Sequence, residues 1–408
     1  MAKQKRIPLP KEFTESQMQT QTEMLQLSKK SKQLFIGIPK EESPSENRVA
    51  LVPASVASLI AHGHRVVIET GAGTKSAYAD NKYSEVGADI AYSKEQVYKS
   101  DIIIKVSPLT IEEIDICQTG QTIISPIQIP SLSADYIHKL KEKKVIALAM
   151  EYIQDEVGSY PVVRIMSEIA GTSAVTTAAS LLSKSRGGKG ILLGGVSGVP
   201  PAKVVILGAG VVAEFAIRAC LGVGADVRVF DNNVYKLMRL QNILGRRLNT
   251  STLNPMQLEK EIISAEVVIG AIHSESSRSP LLVSEDIISK MKDGSVLIDV
   301  SIDQGGCFET SELTDIANPT FEKHGVIHYC VPNIASQVPR TASIAVSNIL
   351  TPILLQAGTM GSIEDLLYQH KGIRHGVYIF KGTLTNEYLG KRYGIHCTNL
   401  DLLIASAM

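Results

Sequence analysis

The sequence predicts an α/β protein with two doubly wound domains and a cleft between them. Short apolar runs alternate with helical segments over most of the 408 residues, which is the pattern of parallel βαβ units. One run, 204–207, leads into a glycine-rich turn, and a long segment of small and apolar residues at 162–182 separates two sets of runs. Together these observations indicate two sheets joined by a connecting helix.

The first predicted domain combines both ends of the chain. Its predicted elements are strands at 34–38, 65–69, 101–106, 121–124 and 145–149, and a helix at 53–62. From about residue 341 the sequence is helical again and then polar, and this remainder is too short for a third domain. We therefore predict a substrate domain of residues 34–160 plus 340–408, preceded by a polar helical extension at 1–33.

The second predicted domain, 161–339, is Rossmann-like and begins with the helix at 162–182. Its predicted strands are the apolar runs 204–207, 227–230, 267–269, 296–298 and 326–329. Their spacing leaves room for a helix between successive strands, so a parallel sheet is expected. Ligands of such sheets bind beyond the carboxyl ends of the strands, and we expect the active site in the cleft between the domains.

The turn after the first strand of this domain has the parts needed to hold a dinucleotide. Gly208 allows the tight turn, Gly210 lets the backbone approach a pyrophosphate at a helix N-terminus, and Ala213 permits close packing. A second apolar run ends at Asp231, whose carboxylate would accept hydrogen bonds from the adenosine ribose and repel a 2′-phosphate. The sequence therefore predicts NAD rather than NADP as the cofactor.

Composition narrows the classes of partner. Lysine plus arginine and aspartate plus glutamate both number 41, so no net charge attracts the protein to nucleic acid or to anionic membranes. The apolar runs are shorter than a membrane span, and the N-terminus lacks the apolar core of a signal peptide, so we expect a cytoplasmic protein. The five cysteines are far apart without a CxxC pair, and the histidines lack ligand spacing, so no metal site is expected.

Two polar segments after predicted strands are candidates for chemistry. In one, Asp299 and Asp303 lie beside a glycine pair, where a carboxylate would polarise water or hold an ammonium group; a plain turn with capping aspartates is the alternative. In the other, Arg48 follows the first strand, and its planar fork would bind a carboxylate at two points. An exposed surface arginine is the alternative there.

Several segments together resemble the alanine dehydrogenase family, to which the NAD subunit of proton-translocating transhydrogenase is related. The segments are GIPKE at 37–41, NRVALVP at 47–53, ETGAG at 69–73, MSEIAG at 166–171, GGVSGV at 194–199, GAGVVA at 208–213 and IDQGGCFE at 302–309. They extend over most of the chain, and the last is the most specific. The transhydrogenase subunit usually has a glutamate at the position of Asp303 and an Arg-Ala-Gln motif that this chain lacks.

The resemblance implies reversible oxidative deamination of L-alanine to pyruvate and ammonia with NAD, in homo-oligomers that are often hexamers. It implies that Arg48 grips the substrate carboxylate, that Asp303 is the catalytic aspartate and that Asn333 contacts both substrate and cofactor. The other cofactor contacts that it implies are Ser167, Val212, Asp231, Lys236, Ile302 and Ile334.

The chain departs from this family at two pocket positions. The family usually has Lys-Val-Lys-Glu-Pro after its fourth strand, whereas this chain has Lys105-Val-Ser107-Pro108, so Ser107 replaces the substrate lysine. Lys105 lies two residues earlier on the same side of a strand, and we expect it to substitute in part. Gln128 replaces the catalytic histidine; it donates a hydrogen bond to a carbonyl but exchanges no proton near neutral pH. We predict that Asp303 handles the proton instead.

These departures leave two other functions open. One is an NAD(H)-binding protein with weak or no dehydrogenase activity, of a transhydrogenase-like or catalytically weakened type. The other is a dehydrogenase for a different small amino acid, because the pocket has exchanged two ionisable groups. Arg48, Asp303 and Asn333 favour an enzyme, since a protein that only binds NAD has no need of them.

Overall fold

The computed structural model describes residues 33–129, 132–273 and 278–407, which form two mostly parallel sheets. The first sheet consists of β1 Phe35–Ile38, β2 Arg65–Glu69, β3 Asp89–Ala91, β4 Ile102–Ile104, β5 Thr122–Ser125, β6 Ile146–Ala149, β14 Val377–Phe380 and β15 Thr383–Leu384. The second consists of β7 Lys203–Leu207, β8 Asp226–Phe230, β9 Asn249–Ser251, β10 Val267–Gly270, β11 Val296–Asp299, β12 Thr320–Lys323 and β13 Val326–Tyr329.

Helices cover these sheets and connect their strands. In the first part of the chain they are α1 Pro53–Ala61, α2 Asp80–Ser84, α3 Lys94–Val97, α4 Ile111–Ile116, α5 Ala134–Glu142 and α6 Pro161–Leu181. In the second sheet's segment they are α7 Val211–Val223, α8 Val234–Leu244, α9 Pro255–Ile263 and α10 Glu285–Ser289. In the C-terminal part they are α11 Pro339–Met360, α12 Ile363–Gln369, α13 Lys371–Arg374, α14 Glu387–Tyr393 and α15 Leu400–Ala407.

Both sheets have the doubly wound strand order. The parallel strands lie in the order β3-β2-β1-β4-β5-β6 in the first sheet and β9-β8-β7-β10-β11-β13 in the second. The winding reverses between β1 and β4 and between β7 and β10, and the carboxyl ends of these strands border the crevice where such folds bind ligands. Antiparallel strands extend the sheets at β6 and β13. The predicted pair of Rossmann-like doubly wound domains is therefore confirmed.

The C-terminal part of the chain completes the first sheet. Strand β14 pairs with β6, and α11 packs on α1. Helix α6 contributes Val162 to the core of the first sheet and Ala174 to the core of the second. Because this helix belongs to both cores, the boundaries predicted at 160/161 and 339/340 stay predictions. The predicted extension at 1–33 lies outside the described residues, except for residue 33.

The strands that the sequence analysis missed lie mainly at sheet edges. Strands β3 and β15 end the first sheet, and β9 and β12 end the second. An edge strand needs pairing on one side only, so it is short and mostly polar and leaves little apolar periodicity. Strand β14, with sequence VYIF, is fully buried but stands in a stretch that we expected to be polar. The strands predicted in the interior of both sheets are present; 65–69 and 326–329 have the predicted bounds, and the others differ by at most two residues at either end.

Helix α11 meets, by length and composition, the requirement for crossing a membrane, although the sequence analysis expected no such segment. In this structure it is a core helix that packs on α1 and α6. Its buried Ser343 and Ser347 accept hydrogen bonds from the backbone N–H groups of Val49 and Val52, at 2.9 and 2.8 Å. The helix therefore anchors the polar loop that follows β1.

Candidate active site between the two domains

The turn between β7 and α7 depends on the backbone conformation of two glycines. Gly208 has φ +114°, which L side chains rarely adopt, and a Cβ there would lie 2.4 Å from the carbonyl oxygen of Ala271. Gly210 has an ordinary φ of −80° and open space where a side chain would be. The fold therefore requires the first glycine, whereas the second leaves room for a ligand.

The helix that follows this turn offers free N–H groups. No side chain caps the N-terminus of α7, so its first N–H groups and the positive end of the helix dipole are available to an anion. Helix α7 packs closely on α6, where a Cβ at Gly171 would lie 2.3 Å from the carbonyl oxygen of Val212. Ala213 is fully buried in the same first turn. Small residues thus fix the helix start beside the turn.

Asp231 follows β8 and lies beside the glycine turn. Its Oδ2 accepts a hydrogen bond from the N–H of Ala209, and its Oδ1 accepts one from the N–H of Asn233, both at 2.7 Å. The carboxylate is held in place, and its oxygens keep lone pairs for hydroxyl donors. These groups fit a dinucleotide, with the pyrophosphate at the turn and the ribose at Asp231.

The other predicted cofactor contacts lie at different depths around the domain boundary. Val212 is half-buried in the first turn of α7, and Lys236 is exposed in the first turn of α8. Ser167 is half-buried on α6. Ile302 and Ile334 are buried in the short 3₁₀ helices Val300–Gln304 and Ile334–Gln337. Their contacts with the nucleotide stay predictions.

A buried aspartate shapes the turn that carries Asp303. Asp299 ends β11, and its Oδ2 accepts hydrogen bonds from the N–H of Cys307 at 3.0 Å and the hydroxyl of Ser311 at 2.6 Å. Gly306 passes so close that a Cβ would lie 2.7 Å from this oxygen. Asp299 is therefore a turn-forming residue, and Asp303 is the carboxylate exposed to solvent in this segment.

Asp303 is fixed by a backbone N–H group of its own domain. The N–H of Asn333 donates to its Oδ1 at 3.0 Å. Although the side chain is exposed, surrounding protein displaces part of its hydration and raises its pKa above the usual value, while the Asn333 hydrogen bond and the positive charge of Arg48 oppose that rise. Asp303 can therefore exchange a proton closer to neutral pH than an ordinary aspartate.

Arg48 is buried, so the surface alternative is wrong for it. Its Nε and Nη2 donate to both carboxylate oxygens of Glu46, at 2.8 and 2.6 Å, and Nη2 also donates to the carbonyl of Val106 at 3.3 Å. Nη1 lies 3.3 Å from the sulfur of Met166. One face of the guanidinium is thus occupied by Glu46, and Nη1 is the nitrogen with the weakest partner.

Asn333 connects the two halves of the site. Its side-chain amide donates to Glu46 at 3.0 Å, while its backbone N–H holds Asp303. The residue has φ +53° and ψ +48°, a left-handed conformation that asparagine tolerates better than most residues. Arg48 and Glu46 lie in the loop after β1 of the first sheet, whereas Asp303 lies after β11 of the second sheet. The structure therefore brings Arg48, Asp303 and Asn333 together and adds Glu46.

The loop that carries Arg48 is fixed by serines distant in sequence. Ser336 accepts a hydrogen bond from the N–H of Asn47 at 3.0 Å and donates to the carbonyl of Ser45 at 2.8 Å. The sequence analysis named Arg48 but missed Glu46 as its partner. The sequence did contain a signal for this pair: Glu46 is an acidic residue two positions before the arginine, and a buried arginine needs an acidic partner.

The predicted substrate residues Lys105 and Ser107 both meet Glu41. The hydroxyl of Ser107 donates to the Glu41 carboxylate, and the Lys105 ammonium lies 3.6 Å from the same oxygen. Lys105 also donates to both oxygens of Glu113, at 2.8 and 2.7 Å, and is 1% exposed. Burial raises the pKa of Glu41, opposed by Lys105 and Ser107. Lys105 is therefore engaged inside the first domain and does not face solvent.

The turn at Gln128 is held by the carboxyl group of Glu151, which is half-buried. The Oε1 of Glu151 accepts hydrogen bonds from the N–H groups of Ile127 and Gln128, at 2.7 and 3.4 Å. Gln128 is exposed and has φ +44°, a conformation uncommon for a residue with a side chain. Burial raises the pKa of Glu151, and its Oε2 has no hydrogen-bond partner among the described residues. Glu151, which the sequence analysis missed, supports the turn at Gln128.

The described residues contain no group of three or more histidine, cysteine, aspartate or glutamate side chains able to hold a metal ion. The absence of a metal site stays a prediction.

Two doubly wound domains, a nucleotide-binding turn on one and an arginine–carboxylate network between them define a two-domain pyridine-nucleotide-binding protein. Residues 37–170 match the model of the alanine dehydrogenase/PNT N-terminal domain, and residues 174–387 match that of the C-terminal domain. The chain belongs to the alanine dehydrogenase/PNT family.

Relatives cover nearly the whole chain. It is 38% identical over 362 residues to alanine dehydrogenase of Bacillus subtilis (strain 168), which covers 88% of this chain and 95% of the relative. It is also 38% identical over 367 residues to alanine dehydrogenase 2 of Staphylococcus aureus (strain USA300), covering 90% and 98%.

Solved structures agree with this assignment. A structure of L-alanine dehydrogenase matches with a TM-score of 0.83 and 34% identity, over 88% of this chain and 99% of that one. A transhydrogenase from Sinorhizobium meliloti matches with a TM-score of 0.73 and 24% identity, over 87% and 99%, which shows a shared fold.

Proposed function

We propose that the protein catalyses NAD-dependent, reversible oxidative deamination of L-alanine to pyruvate and ammonia. The observation that carries this proposal is the contact network Arg48–Glu46–Asn333–Asp303, which joins an arginine of the first domain to a carboxyl group of the second. A protein that only bound a dinucleotide would need neither the buried arginine nor the proton-exchanging aspartate. The names of relatives at 38% identity support the same reaction.

The substrate would be oriented by its carboxylate. Nη1 of Arg48 is not bonded to Glu46, and its partner among the described residues is the thioether sulfur of Met166, so it is the donor that we assign to the substrate carboxylate. Glu46 keeps the guanidinium plane fixed through two hydrogen bonds. Asn333 is already used by Glu46 and Asp303, and we assign it a positioning role at the substrate and nicotinamide. When bound, NAD supplies the hydride acceptor and donor for the substrate α-carbon.

Proton transfer would fall to Asp303. As its pKa is raised, the carboxylate can take a proton from the water that adds to the iminium carbon and return it to the departing ammonia. Gln128 can donate a hydrogen bond to the carbonyl oxygen but cannot replace the acid–base role of a histidine. Because Lys105 is engaged with Glu113, it is the least accessible of the predicted substrate contacts.

The test is NADH oxidation with pyruvate and ammonium by the wild type and by Asp303→Asn. We expect turnover by the wild type and a loss of about 10²- to 10⁴-fold in kcat in the variant, with NADH affinity unchanged. Asp286→Asn is a matched control, because Asp286 is exposed on α10 and its carboxylate pairs, within the described part of the chain, with the surface residue Lys290. Equal rates for wild type and Asp303→Asn would contradict the role of Asp303.

A catalytically weakened NAD(H)-binding protein is the second candidate. Two observations favour it. Gln128 and Ser107 replace the histidine and the lysine of the family, and two nitrogens of Arg48 already donate to Glu46. Tight NADH binding without turnover of any 2-oxo acid would establish it. Gln128→His together with Ser107→Lys should then raise alanine activity, and unchanged rates would show that these exchanges are not losses.

The finer features belong to the same proposal. NAD is favoured over NADP because the Asp231 carboxylate lies where a 2′-phosphate would be repelled. Alanine, pyruvate and ammonia would be the small-molecule partners, with no nucleic acid and no membrane involved. We also propose a cytoplasmic homo-oligomer, a hexamer by resemblance, which mass measurement in solution would test.

A further inference from the structure

We propose that Glu41 is a positioning residue for substrate binding, which fixes the direction of the Arg48 guanidinium by holding Val106. Glu41 lies in the loop after β1 and is 6% exposed, and Val106 lies two residues after the end of β4. The inference rests on the proposed function, because it concerns the arginine that we assign to the substrate carboxylate. It adds to that function the group that keeps this arginine in place.

Glu46 and Val106 together occupy two nitrogens of the Arg48 guanidinium. Nε and Nη2 donate to Glu46 at 2.8 and 2.6 Å, and Nη2 donates also to the carbonyl of Val106 at 3.3 Å. A guanidinium carries one N–H on Nε and two on each Nη, so those on Nε and Nη2 are all used. Nη1, beside the sulfur of Met166, is the nitrogen that we assign to the substrate. The carbonyl of Val106 thus helps to determine where Nη1 points.

Val106 lies where the winding of the first sheet reverses. Strands β1 and β4 are neighbours there, and on β4 their pairing ends at Ile103. Beyond that point the N–H of Lys105 still donates to the carbonyl of Ile124 in β5, at 3.0 Å. The N–H of Val106 donates instead to Oε1 of Glu41, at 2.8 Å. The Glu41 side chain therefore links the segments after β1 and β4 at the crevice between them.

The carboxyl group of Glu41 is itself fixed by the segment that it holds. Its Oε2 accepts a hydrogen bond from the hydroxyl of Ser107 and lies 3.6 Å from the ammonium of Lys105. Lys105 also donates to both oxygens of Glu113, at 2.8 and 2.7 Å. A buried carboxyl group is stable only with partners of this kind. Both oxygens of Glu41 are thus engaged on either side of the Val106 carbonyl that contacts the arginine.

Two roles of Glu41 make opposite predictions for its substitution. If the residue were only a counter-charge for Lys105, aspartate would preserve its role and glutamine would not. If it is the acceptor that holds Val106, glutamine preserves the role, because its amide oxygen can accept the N–H of Val106 and its NH₂ group can donate to Ser107. Lys105 then keeps Glu113 as its acidic partner. Aspartate is shorter by one methylene group and cannot reach both groups.

The experiment measures the Kd of pyruvate in the complex of the full-length protein with NADH, and kcat/KM for pyruvate with ammonium. We expect Glu41→Ala and Glu41→Asp to raise the Kd by about tenfold to a hundredfold, since a buried hydrogen-bonding group without its partner has an effect of that size. Glu41→Gln should stay within about threefold of the wild type, because the hydrogen bonds are kept. The Kd of NADH should change by less than about twofold in every variant, because its site is distant.

Glu42→Gln is the matched control, because Glu42 is the next residue of the same loop, is exposed and pairs with Lys94. It should bind pyruvate as the wild type does. Glu41→Asp serves alone if Glu41→Ala lowers Tm. A Kd raised as much in Glu41→Gln as in Glu41→Asp, an unchanged Kd in all variants or an equal loss of NADH affinity would overturn the inference and leave the proposed function intact.

The wild type separates failure of the inference from failure of the proposed function. Pyruvate binding without turnover would contradict the proposed function, and the comparison of Kd values among the Glu41 variants would still decide the inference. Absence of pyruvate binding to the NADH complex would overturn both.

Discussion

The nucleotide-binding half and the substrate-binding half of this site are built by different means. The first depends on backbone, since Gly208 needs a positive φ and Gly210 offers open space at a helix start. The second depends on side chains from both domains, since Arg48 is fixed by Glu46 and Glu46 by Asn333. The comparison teaches that a backbone-built site tolerates little change, whereas a side-chain-built site can be altered one group at a time. The two departures from the family pattern, Ser107 and Gln128, both lie in the substrate-binding half, which depends on side chains.

After Asp303→Asn, the largest effect is expected from Arg48→Lys, also at the substrate side. Lysine cannot form the two parallel hydrogen bonds to Glu46, so the charge would lose its fixed orientation in a buried site. We expect kcat/KM for 2-oxo acids to fall by about 10²- to 10³-fold, since losing one partner of a buried, hydrogen-bonded charge pair costs about 2–5 kcal/mol of binding. Steady-state kinetics would measure this. Arg340→Lys, at an exposed arginine, is the control, and equal losses in both variants would refute a special role for Arg48.

Two glycine substitutions would separate folding from binding at the nucleotide side. Gly208→Ala should lower Tm, because the residue has φ +114° and its Cβ would meet a carbonyl oxygen at 2.4 Å. Gly210→Ala should leave Tm unchanged and weaken NADH binding by about tenfold to a hundredfold, because the added methyl group enters the space for the ligand. Calorimetry and NADH titration would check both. Unchanged NADH affinity in Gly210→Ala would remove the pyrophosphate from this turn.

A smaller effect is expected for cofactor choice. Asp231→Asn keeps an oxygen that can accept the N–H of Ala209 but removes the negative charge. We expect the NADP-to-NAD ratio of kcat/KM to rise by about tenfold, which is about 1.4 kcal/mol. Steady-state kinetic constants for both cofactors with one 2-oxo acid would give the ratio. The same ratio in both proteins would show that Asp231 does not exclude the 2′-phosphate.

The smallest effect is expected from Glu151→Gln, read from the pH dependence of stability. Burial raises the pKa of Glu151 above its ordinary 4.5, so the folded state holds this proton at a pH where the unfolded chain has released it. Its contribution to stability is present below pH 4.5 and is lost as pH rises through the folded-state pKa. Glutamine can still accept from Ile127 but does not titrate. Tm of the variant should therefore fall less than that of the wild type from pH 4.5 upward, and parallel curves would contradict this.

The contrast between the nucleotide half, which depends on backbone, and the substrate half, which depends on side chains, also explains what the sequence could predict. The strand, turn, helix and acid around Gly208 and Asp231 follow local rules of backbone conformation, and they lie within some thirty residues. Arg48 and Asp303 were candidates from their positions after predicted strands, with a surface arginine and a plain turn as alternatives, and Asn333 was found only through resemblance to a family. Their geometry depends on contacts such as that of Glu46 with Asn333, which are 287 residues apart in sequence. Lys105 was expected near the substrate, but an acid at position 113 engages it, and no periodicity reveals such a pair.

The return of the chain to its first sheet affects the order of synthesis and folding. Strand β6 cannot gain its neighbour on one side until residues 377–380 have been made, and the loop carrying Arg48 cannot be fixed before Ser343 and Ser347. The second sheet has all its strands between residues 203 and 329, so it can complete its core earlier on the ribosome. During that interval the edge of β6 is an unpaired template for other strands. A nascent chain arrested near residue 335 would therefore bind nucleotide before it could bind substrate.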